Sequence, residues 1–157
     1  MFILHVCQAL EAEKVTYAIA GGYAVALHGV VRGTVDVDIV IQWNLKNLQK
    51  AEKALKGLGL VSLLPLDAKN LYQFKDEYIN NRNLIAWNFY HPLNPTQQVD
   101  LIIVYDLMGT KATKLIKTGA GTLRVLNLEE LIRMKTHSGR PQDLEDVKAL
   151  KQVAKER

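Results

Sequence analysis

The sequence predicts a single α/β domain in which a mixed, twisted β-sheet is flanked by helices and ends in a short helical tail. Three observations point there. Apolar runs rich in β-branched residues alternate with segments of helical periodicity. One such run, Val15 to Ala20, passes straight into Gly21-Gly22 and a short helix. The chain has 157 residues, 48% of them hydrophobic, which suits one core and one domain spanning 1–157, with the tail from about 128 to 157.

Each element has its own signal. Phe2, Val6, Cys7 and Leu10 recur at helical spacing, so the first dozen residues are an amphipathic helix. After the Val15–Ala20 strand and the two glycines, Tyr23 to His28 forms a short helix stopped by Gly29. Residues 35 to 41, Val-Asp-Val-Asp-Ile-Val-Ile, are β-branched at every apolar position and make a strand with acids at alternate places. Asn44 caps a helix running to about Leu58, with Leu45, Leu48, Ala51, Leu55 and Leu58 inward and Lys46, Lys50, Lys53 and Lys56 outward. Between Leu60 and Asn83 short extended pieces are expected at Val61–Leu64 and Leu71–Phe74. Strands at Leu84–Tyr90 and Gln98–Tyr105 flank a two-proline turn and form a hairpin. A polar, glycine-bearing segment follows, then a strand at Thr122–Leu126. Helices from Leu128 to Thr136 and from Pro141 to about Lys155 complete the chain, with Asn127 and Glu130 spaced as a capping box and Pro141 at a first helical turn.

Composition narrows the function classes. A net charge of +4 suits a protein that handles anions. Cys7 is the sole cysteine, so no intrachain disulfide can form, and four histidines without cysteine partners disfavour a structural zinc site. The apolar amino terminus lacks a basic leader and soon meets Glu11 and Glu13, so neither a signal peptide nor a membrane span is expected, and the expected location is the cytoplasm.

The chemistry concentrates in three carboxylates. Strand alternation puts Asp36 and Asp38 on one face, where their mutual repulsion calls for a cation. Hard oxygen ligands at that spacing suit Mg2+, which takes one or two carboxylates and completes its shell with water and phosphate oxygens. Asp100 lies in the apolar run from Val99 to Val104 and joins them if its strand pairs beside theirs. Gly21-Gly22, at a helix amino terminus, lets backbone amides approach a phosphate closely. Arg32 and Thr34 have two open readings, phosphate contact or pinning of the loop before the acids. Lys135 also has two: reaching a triphosphate across the cleft, or a surface salt bridge to Asp143 or Glu145. Asp143 and Asp146 read as stabilisers of the first turn of their helix and stay outside the candidate site.

Gly21-Gly22 after a strand, Asp36-Val37-Asp38 fourteen residues past Gly22, and a later Asp100 resemble the motifs of the DNA polymerase β-like nucleotidyltransferase superfamily. The fuller runs from Ala20 to Gly29 and from Arg32 to Asp38, with the stretch from Met134 to Asp146, are similar to its small bacterial branch, which includes AbiEii-type toxins. The resemblance implies the minimal nucleotidyltransferase fold. It also implies metal-dependent transfer of a nucleoside monophosphate from a nucleoside triphosphate such as ATP to an acceptor hydroxyl, with pyrophosphate leaving. Asp36 and Asp38 would each bind two Mg2+ ions. Asp100 would bind the catalytic ion and help deprotonate the acceptor. Gly22 stands where many relatives carry Ser. Protein, RNA and small-molecule acceptors all fit, and the toxin branch would bring an antitoxin partner. Lys111, Lys114 and Lys117 are candidates to line a path for RNA. Two further classes are a non-catalytic nucleotide- or partner-binding module of this fold, which intact acids argue against, and a nucleic-acid-binding regulator, which lacks a concentrated basic stripe.

Overall fold

The structure, a computed structural model, describes residues 1–34 and 36–156. Its elements run α1 (Phe2–Ala12), β1 (Tyr17–Ala20), α2 (Gly21–Leu27), β2 (Val37–Ile41), α3 (Leu45–Gly57), β3 (Val61–Ser62), α4 (Ala68–Gln73) and α5 (Lys75–Arg82). They continue as β4 (Ala86–His91), β5 (Asn94–Ile102), β6 (Thr113–Thr118), β7 (Gly121–Leu126), α6 (Leu128–Ser138) and α7 (Pro141–Lys155), with a 3-10 turn at Thr110–Ala112.

All seven strands share one sheet in the order β3-β4-β5-β2-β1-β7-β6. β1 and β2 are antiparallel, whereas β2 with β5 and β1 with β7 are parallel, so the sheet is mixed as expected. Central β1 is buried along its whole length, which is why Val15–Ala20 reads as a continuous apolar run rather than an alternating one. Across β4, β5 and β2, Trp87, Phe89, Val99, Leu101, Val37 and Ile39 are buried on one face. Register then places Asn88, Asp100 and Asp38 in a row on the other. Ile3, Val6 and Leu10 of α1 and Leu48 and Leu55 of α3 join the core.

Several elements depart from expectation. The second helix begins at Gly21 itself, because the chain turns on that residue rather than after Gly22. The acid strand is described from Val37, and its expected first residue, Val35, lies outside the described residues. Leu71–Phe74 is not extended: Asp67 accepts a hydrogen bond from the Asn70 amide at 2.8 Å and starts α4 there. The segment after Asp106 holds an unexpected strand, β6, paired antiparallel with β7 along its length. At Asn127 only half of the expected capping box forms, with Glu130 N–H donating to Asn127 Oδ1 at 2.8 Å. The Glu130 carboxylate instead accepts from the Tyr105 hydroxyl at 2.7 Å and from Arg133 at 2.6 Å. No helix among the described residues is long and apolar enough to cross a membrane.

Candidate active site

Asp38 and Asp100 face each other across the parallel β2–β5 pair as direct register partners, so Asp100 does sit on the strand beside the Asp-x-Asp motif. Cross-strand partners in one sheet stand roughly 5 Å apart, which is ion-sharing distance for two carboxylates. Asp36 precedes β2 in an exposed bend. Asn88, the next partner in the row, donates from Nδ2 to Asp100 Oδ1 at 2.8 Å and fixes that carboxylate.

Gly21 adopts φ +62°, and a Cβ there would fall into the Asp38 carboxylate, with Cγ only 2.7 Å away. No side chain other than hydrogen fits, so the turn and the acid are in direct contact. Gly22 is packed just as tightly on the opposite side: the position of a Cβ lies 2.6 Å from Arg32 Nη1 and 2.8 Å from Thr34 Oγ1. Arg32 and Thr34 therefore lie against the first turn of α2. The Thr34 hydroxyl also donates to the Asp36 carbonyl at 3.4 Å, which ties the loop to the acid motif.

Burial raises the pKa of Asp38 to about 6, and the neighbouring charges of Asp100 and Asp36 push in the same direction against the relief from Lys135 and Arg140. A divalent cation is the natural counter-charge for such a group. Among the described residues no three His, Cys, Asp or Glu side chains already form a cage. Mg2+ does not require one, since one or two carboxylates and substrate phosphates complete its octahedron. Asp38 and Asp100 supply that pair, and Asp36 lies near enough to add its charge, so the donor set fits Mg2+.

Lys135 is neither exposed nor paired on the surface. It is 7% exposed, with Nζ 2.9 Å from Asp146 Oδ2 and 3.3 Å from Asp143 Oδ1; Glu145 is not its partner. Asp143 does stand in the first turn of α7, but it and Asp146 are each 3% exposed and serve as buried ion-pair partners as well. Asp146 Oδ1 also lies 3.5 Å from Arg32 Nε, and Arg140 Nε donates to Asp143 Oδ2 at 2.8 Å. Although burial pushes the Asp143 pKa up, hydrogen bonds from Arg140 and Ser138 and the charges of Lys135 and Arg140 hold it near 2. A sequence signal did exist: Asp143, Asp146, Val147 and Leu150 follow i, i+3, i+4, i+7 spacing, so the acids occupy the apolar stripe of α7.

Between the acid face of the sheet and the α6–α7 junction lies a cleft of about 560 Å³. Gly21 and Asp38 form its floor, Lys135, Arg140 and Asp143 its charged wall, and Ile85, Ile102, Val104, Tyr105 and Met134 an apolar side. Ile85 is 55% and Val104 49% exposed, so this apolar surface is open to a ligand. The apolar side of the cleft and Asn88 carry no site motif in the sequence.

The tryptophans, His28 and the lysines considered for an RNA path lie elsewhere. Trp87 is core, with its indole N–H donating to Ser62 Oγ at 2.8 Å. Trp43 stacks on Tyr72 and sits under the Lys75 ammonium. His28 is buried, with Nε2 2.7 Å from the Leu126 carbonyl oxygen, a packing role. Lys114 and Lys117 lie on edge strand β6, with Lys111 in the turn before it.

Neither a protein-family model nor a curated protein sequence matches the chain. Solved structures do. The lincosamide antibiotic adenylyltransferase LnuA, bound to lincomycin, superposes with a TM-score of 0.62 at 17% identity, covering 97% of this chain and 96% of that one. ANT(2'')-Ia in complex with adenylyl-2''-tobramycin gives 0.61 at 14% identity over 97% and 90%. An antigenic nucleotidyltransferase-like protein from Paracoccidioides brasiliensis gives 0.55 at 21% identity over 95% and 72%. With its mixed sheet, flanking helices and C-terminal helix, the chain has the nucleotidyltransferase fold.

Proposed function

We propose that the protein is a nucleotidyltransferase that moves a nucleoside monophosphate from a nucleoside triphosphate to an acceptor hydroxyl and releases pyrophosphate. The observation that supports this reading is the contact of Gly21 with the Asp38 carboxylate, beside Asp100 in register, which sets a glycine turn suited to a phosphate against a carboxylate pair suited to Mg2+. Mg2+ held by Asp38, Asp100 and Asp36 would neutralise charge on the phosphates and the developing charge on attacking and leaving oxygens.

The chain's own groups have assigned tasks. Backbone amides at Gly21 and Gly22 would donate to the phosphate tail, with Arg32, Thr34 and Lys135 around it. Asn88 holds Asp100 by one oxygen, which orients the carboxylate to take the proton of the acceptor hydroxyl. The apolar side of the cleft removes water from the body of a bound molecule and aligns its reactive end over Asp38.

The test is incubation with each labelled nucleoside triphosphate, Mg2+ and a fractionated extract, followed by separation of labelled protein, RNA and small molecules. Label lost in Asp38→Asn and Asp100→Asn supports the enzyme, and its fraction identifies the acceptor. Binding of triphosphate without label or pyrophosphate would make the chain a non-catalytic module. A protein co-purifying with the chain and suppressing labelling would mark the toxin–antitoxin setting.

A further inference from the structure

We infer that Asp146 on α7 is a positioning residue that fixes two phosphate-facing cations, Arg32 and Lys135, on either side of the Gly21–Gly22 turn; this rests on the nucleotidyl-transfer reading. The carboxylate is a hub. Oδ1 lies 3.5 Å from Arg32 Nε and accepts from Gln142 Nε2 at 3.1 Å, and Oδ2 lies 2.9 Å from Lys135 Nζ. That last contact is an ion pair without directed hydrogen-bond geometry, since Oδ2 has no directed donor.

The cations it holds reach the site by different routes. Arg32 comes from the loop after α2, and its Nη1 rests against the Gly22 backbone. Lys135 comes from α6 and lines the cleft that Asp38 also lines. Among the described residues, the ion pairs of both cations run to α7. Long cationic side chains lose much rotamer freedom when they grip a ligand, and a buried carboxylate that already holds them removes most of that loss beforehand. Set apart from the Asp36, Asp38 and Asp100 carboxylates that Mg2+ would offset, the cluster leaves room for an anion: Arg32, Lys135 and Arg140 stand against Asp143 and Asp146, an excess of one positive charge.

Removing the Asp146 charge has two opposed effects. The site becomes more positive, which favours an anion, and the cations come loose, which disfavours it. Buried geometry makes the second dominate, because Arg32 has its ion pair only with Asp146 among the described residues and Lys135 loses the nearer of its two partners.

The experiment measures binding of inorganic tripolyphosphate and of each nucleoside triphosphate with Mg2+ by calorimetry. It compares wild type, Asp146→Asn, Arg32→Gln and their double variant, all at a temperature where circular dichroism shows them folded. Glu145→Gln, an exposed charge removal on the same helix, is the control and binds as wild type. Asp146→Asn is expected to weaken binding about tenfold, or about 1.4 kcal/mol. The double variant should be little weaker than the worse single one, a coupling that a merely structural role would not produce. Wild-type binding combined with unchanged or tighter binding in Asp146→Asn overturns the inference alone. A wild type that binds neither probe overturns the nucleotidyl reading and this inference together. Should Asp146→Asn not fold, Arg32→Gln tests the same link from the loop side, and binding equal to wild type overturns it.

Discussion

Gly21 is where the phosphate turn and the acids meet, and its environment allows no side chain. Its φ of +62° costs an L-residue about 1–2 kcal/mol, and a methyl group would in addition strike the Asp38 carboxylate. Gly21→Ala should therefore lower the melting temperature by several degrees and abolish labelled product, read by calorimetry and the transfer assay. Asp38 carries the opposite tension. Its pKa stands near 6 in the folded chain against an ordinary value of 3.8, so the neutral form is the one the metal-free fold prefers. The resulting stability is fully present below about pH 4 and is lost as pH rises through about 6. At about 1.4 kcal/mol per pH unit the loss is capped near 3 kcal/mol, and partial solvent screening brings it to about 2 kcal/mol. Asp38→Asn should accordingly make the metal-free protein more stable than wild type at pH 8 by about that amount, with no difference at pH 4, while transfer is lost; chemical denaturation at both pH values measures it. These acids were legible because strand alternation is a rigid rule and Asp100 broke an apolar run. Asn88 was not, because an amide beside an aromatic strand residue has no signature until register aligns it with Asp100.

At the scale of elements, what the sequence concealed follows from where its periodicities mix. β6 reads Thr-Lys-Leu-Ile-Lys-Thr, and as an edge strand it carries a lysine and an apolar residue on each face, so no period of two appears. Leu71-Tyr-Gln-Phe74 carries strand-forming aromatics, but the Asp67 cap outweighs them. The α6–α7 junction was legible as two helices with a break and illegible as a charged core, since acids near a helix start are ordinarily solvated. Burial makes the difference measurable at Asp143. Its folded pKa of about 2 lies below the ordinary 3.8, so its contribution is present above about pH 4 and is lost as pH falls toward 2. Asp143→Asn should lower stability by about 2 kcal/mol at pH 7, and the gap to wild type should close near pH 2. Urea unfolding at the two pH values gives the comparison. Lys135 keeps Asp146 in that variant and Arg140 turns to solvent, which holds the effect below the 3–5 kcal/mol of a fully orphaned buried charge.

For the molecule as a whole, the question is whether α7 is an appendage or part of the body, because the sequence presents it as a tail. Val147 and Leu150 are buried, and burial of two aliphatic side chains contributes about 1.5–3 kcal/mol each. The same helix brings Asp143 and Asp146 to Lys135 and Asp146 to Arg32, so its loss would also break these ion pairs. The sum is comparable with the whole 5–15 kcal/mol by which an ordinary domain is stable. A chain ended at Gly139 should therefore lose its cooperative thermal transition and expose the Leu131 side of α6, read by circular dichroism and by binding of a hydrophobic dye. Removing only residues 154 to 157, where Ala154, Lys155 and Glu156 are exposed, should leave both the transition and triphosphate binding unchanged. A shortened chain that still melted cooperatively would show that the sheet and α1 to α6 form a complete fold, and would reduce α7 to a cover laid over the cleft.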